Sequence, residues 1–282
     1  MMLDQIALEL GLIYGILSLG VWVGFRVLDF PDLTCDGSFV LGGVLSALWI
    51  RAGGNPWGAL GVGFLGGSLA GALTGCLFYL ARVPDLLSGI LTAFMLYSVH
   101  LRLLGGLPQV GLAGYPTCFG SHQDLPILLG LTLGVWAGLS LLFGTDFGLA
   151  LRSIGQNKAL ARRSGVKVPL GHILGLGLSN GLIGLSGGLL TQKMGFADVG
   201  SGAGTLIVAM AGVMLGESLF KSTKLWISMG LVLLGSLLYR LLTGLALYGD
   251  LLGFETGDMN LLTGFLVIAI IVWGKRKTPC FS

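Results

Sequence analysis

Few side chains in this sequence can do chemistry, and nearly all of them are set in apolar surroundings. Arg240 stands inside Leu237-Leu-Tyr-Arg-Leu-Leu-Thr243. A guanidinium there either reaches back along its own stem to a polar boundary or meets an anion, such as a carboxylate of a solute or of an acidic side chain. Asp29, Asp32 and Asp36 flank Pro31, and Asp36-Gly37-Ser38 has the form of a cap on a half-helix. Amides freed at such an end can hold polar ligand groups; an ordinary turn would use the same residues. Asn180 and Ser186 interrupt an apolar stretch, where they can hydrogen-bond either a ligand or a neighbouring helix.

Catalytic constellations do not assemble. The histidines are His100, His122 and His172, with no H-E-x-x-H pattern or triad. Cys35, Cys76, Cys118 and Cys280 form no C-x-x-C pair or Cys/His cluster, so neither a metal nor a redox site is expected. Gly216-Glu-Ser-Leu-Phe-Lys221-Ser-Thr lacks the second glycine of a phosphate-cradling loop, so nucleotide is not expected to bind by that device. No basic–aromatic surface points to nucleic acid.

The elements that carry these residues follow from composition. Of 282 residues 54% are hydrophobic and only 10% charged, with a mean hydropathy of +0.90, where soluble domains carry roughly 25% charged residues. So few charges cannot make a water-facing surface, and the bilayer must be the solvent. The 50 glycines fall partly at helical spacing: Gly63, Gly67, Gly71 and Gly75, then Gly171 and Gly175, Gly177 and Gly181, Gly184 and Gly188. Close helix packing explains such stripes, and so would a lining for a path or a dimer seam. Crossing the apolar core takes about 20 residues. Candidate spans are 4–25, 37–51, 57–81, 86–104, 125–143, 170–190, 205–217, 225–247 and 259–274. Those at 37–51 and 205–217 are short, as broken helices are. Without a basic leader, the first apolar run reads as a membrane helix and not a cleaved signal. The expected fold is a single all-α, polytopic membrane domain over 1–282, with eight or nine spans.

Connection 144–169 holds Arg152, Lys158, Arg162, Arg163 and Lys167 against Asp146 alone, which places it in the cytoplasm. Alternation then puts 105–124 and 191–204 outside, Lys221 and Lys224 inside, Asp250, Glu255 and Asp258 outside, and the tail Lys275-Arg276-Lys277 inside. Lys193 falls on the outer side against the rule, and Glu217 falls on the inner face. Within the connection Asn157 is a good N-cap and Gly165 a good terminator, so Lys158 to Ser164 should form about two turns. A basic inner loop explains the charge but not this double punctuation.

The segment Arg152-Ser-Ile-Gly-Gln-Asn-Lys-Ala-Leu-Ala-Arg-Arg-Ser-Gly-Val resembles the ATPase-coupling segment of ABC importer permeases of the branched-chain amino-acid and ribose permease superfamily. Leu178-Ser-Asn-Gly-Leu-Ile-Gly-Leu-Ser-Gly-Gly, Leu28-Asp-Phe-Pro-Asp-Leu-Thr-Cys-Asp-Gly-Ser-Phe and Asp258-Met-Asn-Leu-Leu-Thr-Gly-Phe-Leu are similar to its later stretch, its broken first-to-second helix junction and its last helix. The subgroup most resembled is that of aromatic or branched-chain amino-acid uptake permeases. One departure is plain: Ala159, Leu160 and Ala161 stand where the coupling pattern of other importer permeases has Glu, Ala and Ala, leaving recognition to shape and to Arg162 and Arg163. The resemblance implies a non-enzymatic transport subunit in the bacterial cytoplasmic membrane, C-terminus inside, working beside a second copy or paralogue. It implies no cofactor on this chain, ATP hydrolysis by a partner ABC ATPase, and an extracytoplasmic protein delivering an amino acid or other small polar solute. Its coupling residues would be Asn157, Lys158, Ala159, Leu160, Ala161, Arg162, Arg163 and Gly165; Asp36, Ser38, Asn180 and Arg240, as polar groups in apolar surroundings, are the candidates for the solute path, and the resemblance strengthens the case for the junction that holds Asp36 and Ser38. An ion-coupled secondary transporter is the alternative, with Glu217 or the Asp cluster as the cycling acid; a scaffold would need no polar path.

Overall fold

The computed structural model describes residues 2–120, 124–220, 222, 224–248, 264, 265 and 268. Helix α1 (Met2–Trp22) runs into a π-helical turn, Val23–Val27. After the break come α2 (Cys35–Arg51), α3 (Pro56–Tyr79) and α4 (Asp85–Leu103). Strand β1 (Gln109–Gly111) precedes α5 (Asp124–Phe143), α6 (Asp146–Gln156) and α7 (Lys158–Arg163). The long α8 (Val168–Met194), β2 (Phe196–Asp198), α9 (Thr205–Leu219) and α10 (Leu225–Tyr248) follow. Seven described helices are long and apolar enough to cross a membrane. Helix α2, at 17 residues, falls short of that length; the expected span 259–274, apart from residues 264, 265 and 268, and the tail lie outside the described residues.

Local signals set the boundaries. Asn55 caps α3, its Oδ1 accepting from the Trp57 amide at 2.9 Å, while Pro56 occupies the first turn, where its missing N–H costs nothing. Gly195 ends α8 at φ +77°, a conformation that a Cβ disfavours. At 27 residues α8 is the longest element and packs against α1, α2 and α3.

The glycine stripes are the contact surface of that packing. A Cβ at Gly42 would lie 2.0 Å from the Gly184 carbonyl oxygen, at Gly67 2.1 Å from that of Asn180, at Gly71 2.2 Å from that of Leu176, and at Gly187 1.9 Å from that of Phe39. Backbone therefore meets backbone among α2, α3 and α8, and dispersion does the packing that the hydrophobic effect does in water. Within the chain this settles close packing over an open lining.

Two features were not expected from sequence. Connection 144–169 contains not one short helix but two, because the stretch after Thr145 is amphipathic: Leu151 and Ile154 are buried on one side of α6. The chain is mostly helical, as expected, with one addition: a small antiparallel sheet in which Gln109 faces Asp198 and Gly111 faces Phe196. That sheet joins the two connections, 105–124 and 191–204, that the alternation of spans places on one side.

Candidate functional site

The break between α1 and α2 is built around a buried carboxylate. Asp32 is completely buried. Its Oδ1 accepts from the Thr34 amide at 2.8 Å, a local turn of the kind Asp favours. Its Oδ2 accepts from Asn180 Nδ2 at 2.5 Å. Asn180 also donates to the Leu176 carbonyl at 3.1 Å, and its Oδ1 accepts from Ser38 Oγ at 2.7 Å. The hydroxyls continue outward: Thr34 and Thr74 lie 2.7 Å apart, Thr74 and Thr92 3.0 Å apart, and Thr92 donates to the Ser88 carbonyl. One polar chain thus stitches the break and α2 to α8, α3 and α4. Ser38 and Asn180 come together, fully buried, with their donors committed to partners inside the chain.

Asp36 faces another way. Its Oδ1 accepts from Thr205 Oγ1 at 2.8 Å and from the Leu206 amide at 2.9 Å, and its Oδ2 from the Gly204 amide at 3.3 Å. It therefore caps α9 from 168 or more residues away in sequence, satisfying amides that no residue of α9 can reach and complementing the helix dipole. Arg240 is separate again. Its guanidinium lies 3.8 Å from the centroid of the Tyr14 ring on α1, a cation–π contact, and its Nε has no hydrogen-bond partner among the described residues. Ser186 spends its hydroxyl on the Ile13 carbonyl at 2.8 Å, joining α8 to α1.

Helix α7 is short but fixed at both ends. Asn157 Oδ1 accepts from the Ala159 and Leu160 amides, each at 3.0 Å. At the other end Gly165 has φ +85°, its amide donates to the Arg162 carbonyl at 3.2 Å, and the Val166 amide donates to that of Ala161 at 3.0 Å. This is the double bond pattern that closes a helix with a left-handed glycine. Ala161 is the only residue of α7 turned inward, packing with Ile154, Val168, Tyr79 and Val166. Lys158, Ala159, Leu160, Arg162 and Arg163 are exposed. Leu160 is 62% exposed, so α7 presents one apolar knob among three cations.

Ion pairs mark the two ends of the bundle. Lys193 Nζ lies 2.7 Å from Glu9 and 2.7 Å from Asp124, so the lysine that broke the charge rule is neutralised by α1 and α5. Arg26 makes a two-pronged pair with Glu217. The acid placed by sequence on the inner face is thus engaged within the chain. No group of three or more His, Cys, Asp and Glu suited to a metal occurs among the described residues.

Sequence reasoning found Asp32 but not its centrality, although Asp two residues before Thr is a turn signal. Thr74 and Thr92 carry no such signal, being single hydroxyls in apolar helices. His100, which enters no catalytic pattern in the sequence, is buried in α4 at 2% exposure.

Comparison with known proteins agrees with this architecture. Residues 5–272 match the family described as the branched-chain amino acid transport system / permease component. A tyrosine transport system permease protein of Clostridioides difficile is 35% identical over 266 residues, covering 94% of this chain and 88% of that protein. An uncharacterized protein of Rickettsia prowazekii is 36% identical over 219 residues, 76% of each chain. Among solved structures, PsaBC from Streptococcus pneumoniae in complex with Fab superposes with a TM-score of 0.60 at 15% identity, covering 96% of this chain and 90% of that one; this shows a shared fold.

Proposed function

The chain belongs to the family of permease components of branched-chain amino acid transport systems, and from that premise we propose that it is the membrane-spanning subunit of an ATP-driven importer carrying an amino acid inward. A membrane permease of the ABC transporter family needs a motor, and the observation that carries the reading is α7. Its basic, Leu160-tipped surface is exposed while Ala161 roots it against α6 and α8. Leu160 seats in a cleft on a cytoplasmic ATPase, and Lys158, Arg162 and Arg163 meet acidic groups around it. Asn157 and Gly165 keep the helix rigid, with Ala159 facing the motor.

Two such subunits, identical or paralogous, sit side by side in the cytoplasmic membrane with their C-termini inside, and lipid surrounds them. ATP is bound and hydrolysed by the partner. Closure of the motor moves α7, and with it α6, whose Gly155 lies directly against the π-helical turn: a Cβ there would be 2.0 Å from the Val27 carbonyl oxygen. Motion thus reaches the break, where Asp36, Ser38 and Asn180 hold α2 in place. Release of that network and turning of Arg240 line the path in the alternate state. An extracytoplasmic binding protein delivers the solute. An amino acid is supported by the family description and by the tyrosine-transport relative.

Co-purification tests the reading. The chain should retain an ATPase carrying a phosphate-binding loop, and Arg162→Glu with Arg163→Glu should release it. Uptake that persists without ATP and stops when the proton gradient is collapsed would establish the ion-coupled alternative instead.

A further inference from the structure

A cavity of about 310 Å³ opens at the end of the bundle that carries α6 and α7, apart from the Asp32–Asn180 network and from the exposed face of α7. Its walls come from the end of α1 and its π-helical turn (Trp22, Phe25, Arg26), from Asp29, and from α6 (Arg152, Gln156). Charge is divided within it. Arg26 is taken up by Glu217, but Arg152, Asp29 and Gln156 have no side-chain hydrogen bond or ion pair to any described residue. Asp29 lies within reach of the Arg26 charge without bonding to it, so a cation, an anion and an amide face one space with their hydrogen-bonding groups uncommitted, and Trp22 and Phe25 supply an apolar wall. Asp29 is held at φ +51°, a conformation that costs a non-glycine residue energy and that fixes where its carboxylate leaves the chain.

We propose that this cavity is a binding site for a small zwitterion, an α-amino acid whose carboxylate meets Arg152 and whose ammonium meets Asp29, with its side chain against Trp22 and Phe25. The volume lies at the small end of what ligand pockets occupy, ~300–1,000 Å³, which suits an amino acid. A cation on α6 and an anion just after the π-helical turn, both lining one space, select a molecule carrying both charges; a simple anion or amine engages only one of them. The ligand class rests on the importer reading, whereas the complementarity of the cavity does not. Bound solute bridges α1 to α6, so the site is distinct in place from the network at Asp32 and Asn180.

Equilibrium dialysis of the purified full chain with radiolabelled L-tyrosine or L-leucine tests this without any ATPase. Saturable binding is expected, at least tenfold weaker for tyramine, which lacks the carboxylate, and for 3-(4-hydroxyphenyl)propionate, which lacks the ammonium. Arg152→Gln and Asp29→Asn should each weaken it at least tenfold; asparagine tolerates the left-handed backbone at this position, so the fold is preserved. Gln156→Ala, at an exposed position, should weaken it several-fold and serves if a charge variant does not fold. Absence of saturable binding, or binding indifferent to all three substitutions, overturns the proposal. So does binding abolished in nanodiscs by phosphatidylethanolamine but not by phosphatidylglycerol, since a lipid headgroup then owns the site. Binding that survives in a protein showing no ATP-driven uptake counts against the importer and leaves the site standing.

Discussion

Two glycines six residues apart on α3 should respond oppositely to the same substitution. At Gly61 a Cβ would meet nothing within 4 Å, whereas at Gly67 it would lie 2.1 Å from the Asn180 carbonyl oxygen and 3.1 Å from Gly184 Cα. Cβ contacts essentially never fall below 3.0 Å. For Gly67→Ala the backbones of α3 and α8 must therefore part by about 0.9 Å, the gap between 2.1 and 3.0 Å. Neither the obstacle nor the new atom is a flexible side chain that can swing aside. Overpacking of this kind costs ~1–3 kcal/mol, while replacing a helix-interior glycine by alanine returns ~0.5–1 kcal/mol. Gly61→Ala receives only the second effect.

The pair should thus differ by ~1–3 kcal/mol, with Gly61→Ala the more stable. At ~2–4 °C per kcal/mol for a chain approaching this size, the two melting temperatures should separate clearly. The assay is a thermal melt of the detergent-solubilised protein, followed by the monodisperse fraction remaining after heating. Gly67→Val should widen the gap, because its branch points have no room in the same seam. Equal melting temperatures for the two alanine variants would refute the assignment of the glycine stripe to backbone packing.

Three further outcomes follow from the buried polar groups. Asn180→Leu strands Asp32 Oδ2 and Ser38 Oγ at zero exposure. It should cost ~1–3 kcal/mol for each stranded group, and Ser38→Ala should cost less, since both Asn180 donors stay engaged; melts of the two variants check the order. Lys193→Met leaves Glu9, 4% exposed, without its cation, for a loss of ~3–5 kcal/mol; adding Glu9→Gln should restore part of it, and additivity of the two changes would sink the pairing. Burial pushes the Cys118 thiol up to about 11, so less of it is thiolate at neutral pH, and the thiolate is what reacts. In a variant keeping only this cysteine, maleimide labelling should be slow at neutral pH and should accelerate about tenfold per pH unit towards that value; a rate flat with pH would contradict it.

Apolar runs and caps carried most of the fold into the sequence. The first eight candidate spans each have a helical counterpart, because lipid forces backbone bonds to close within each segment. Asn157 and Gly165 announced α7 to within a residue, since caps are local chemistry. Helix α6 escaped because its apolar residues, Leu149, Leu151 and Ile154 among them, span only 11 residues and sit in a basic connection, too short a run to read as a span. The site was less legible for a different reason. Asp36, Ser38 and Asn180 were recognisable as polar residues in apolar company, but their partners are 142 or more positions distant. Nothing in sequence distinguishes a carboxylate that caps α9 from one that waits for a ligand. Only the meeting of helices decides it.

Those meetings also concentrate constraint in one place. Within a dozen residues after the π-helical turn, Asp32 is bound to α8, Thr34 to α3, Ser38 to α8 and Asp36 to α9. Gly155 of α6 presses on the turn itself. By contrast, the most apolar window of α5 is only 17% buried and that of α4 28%, against 72% in α8. The outer helices can therefore shift at little cost in contacts, whereas α6 is packed on α5, on α8 and on the π-helical turn together, and Gly155 leaves no slack against the turn. A π-turn already departs from regular helical bonding, so it can change its winding without opening a sound helix. On the coupling role proposed for α7, the break between α1 and α2 is the element through which its motion would reach the bundle, and the polar chain from Asp32 to Ser88 is what would resist it.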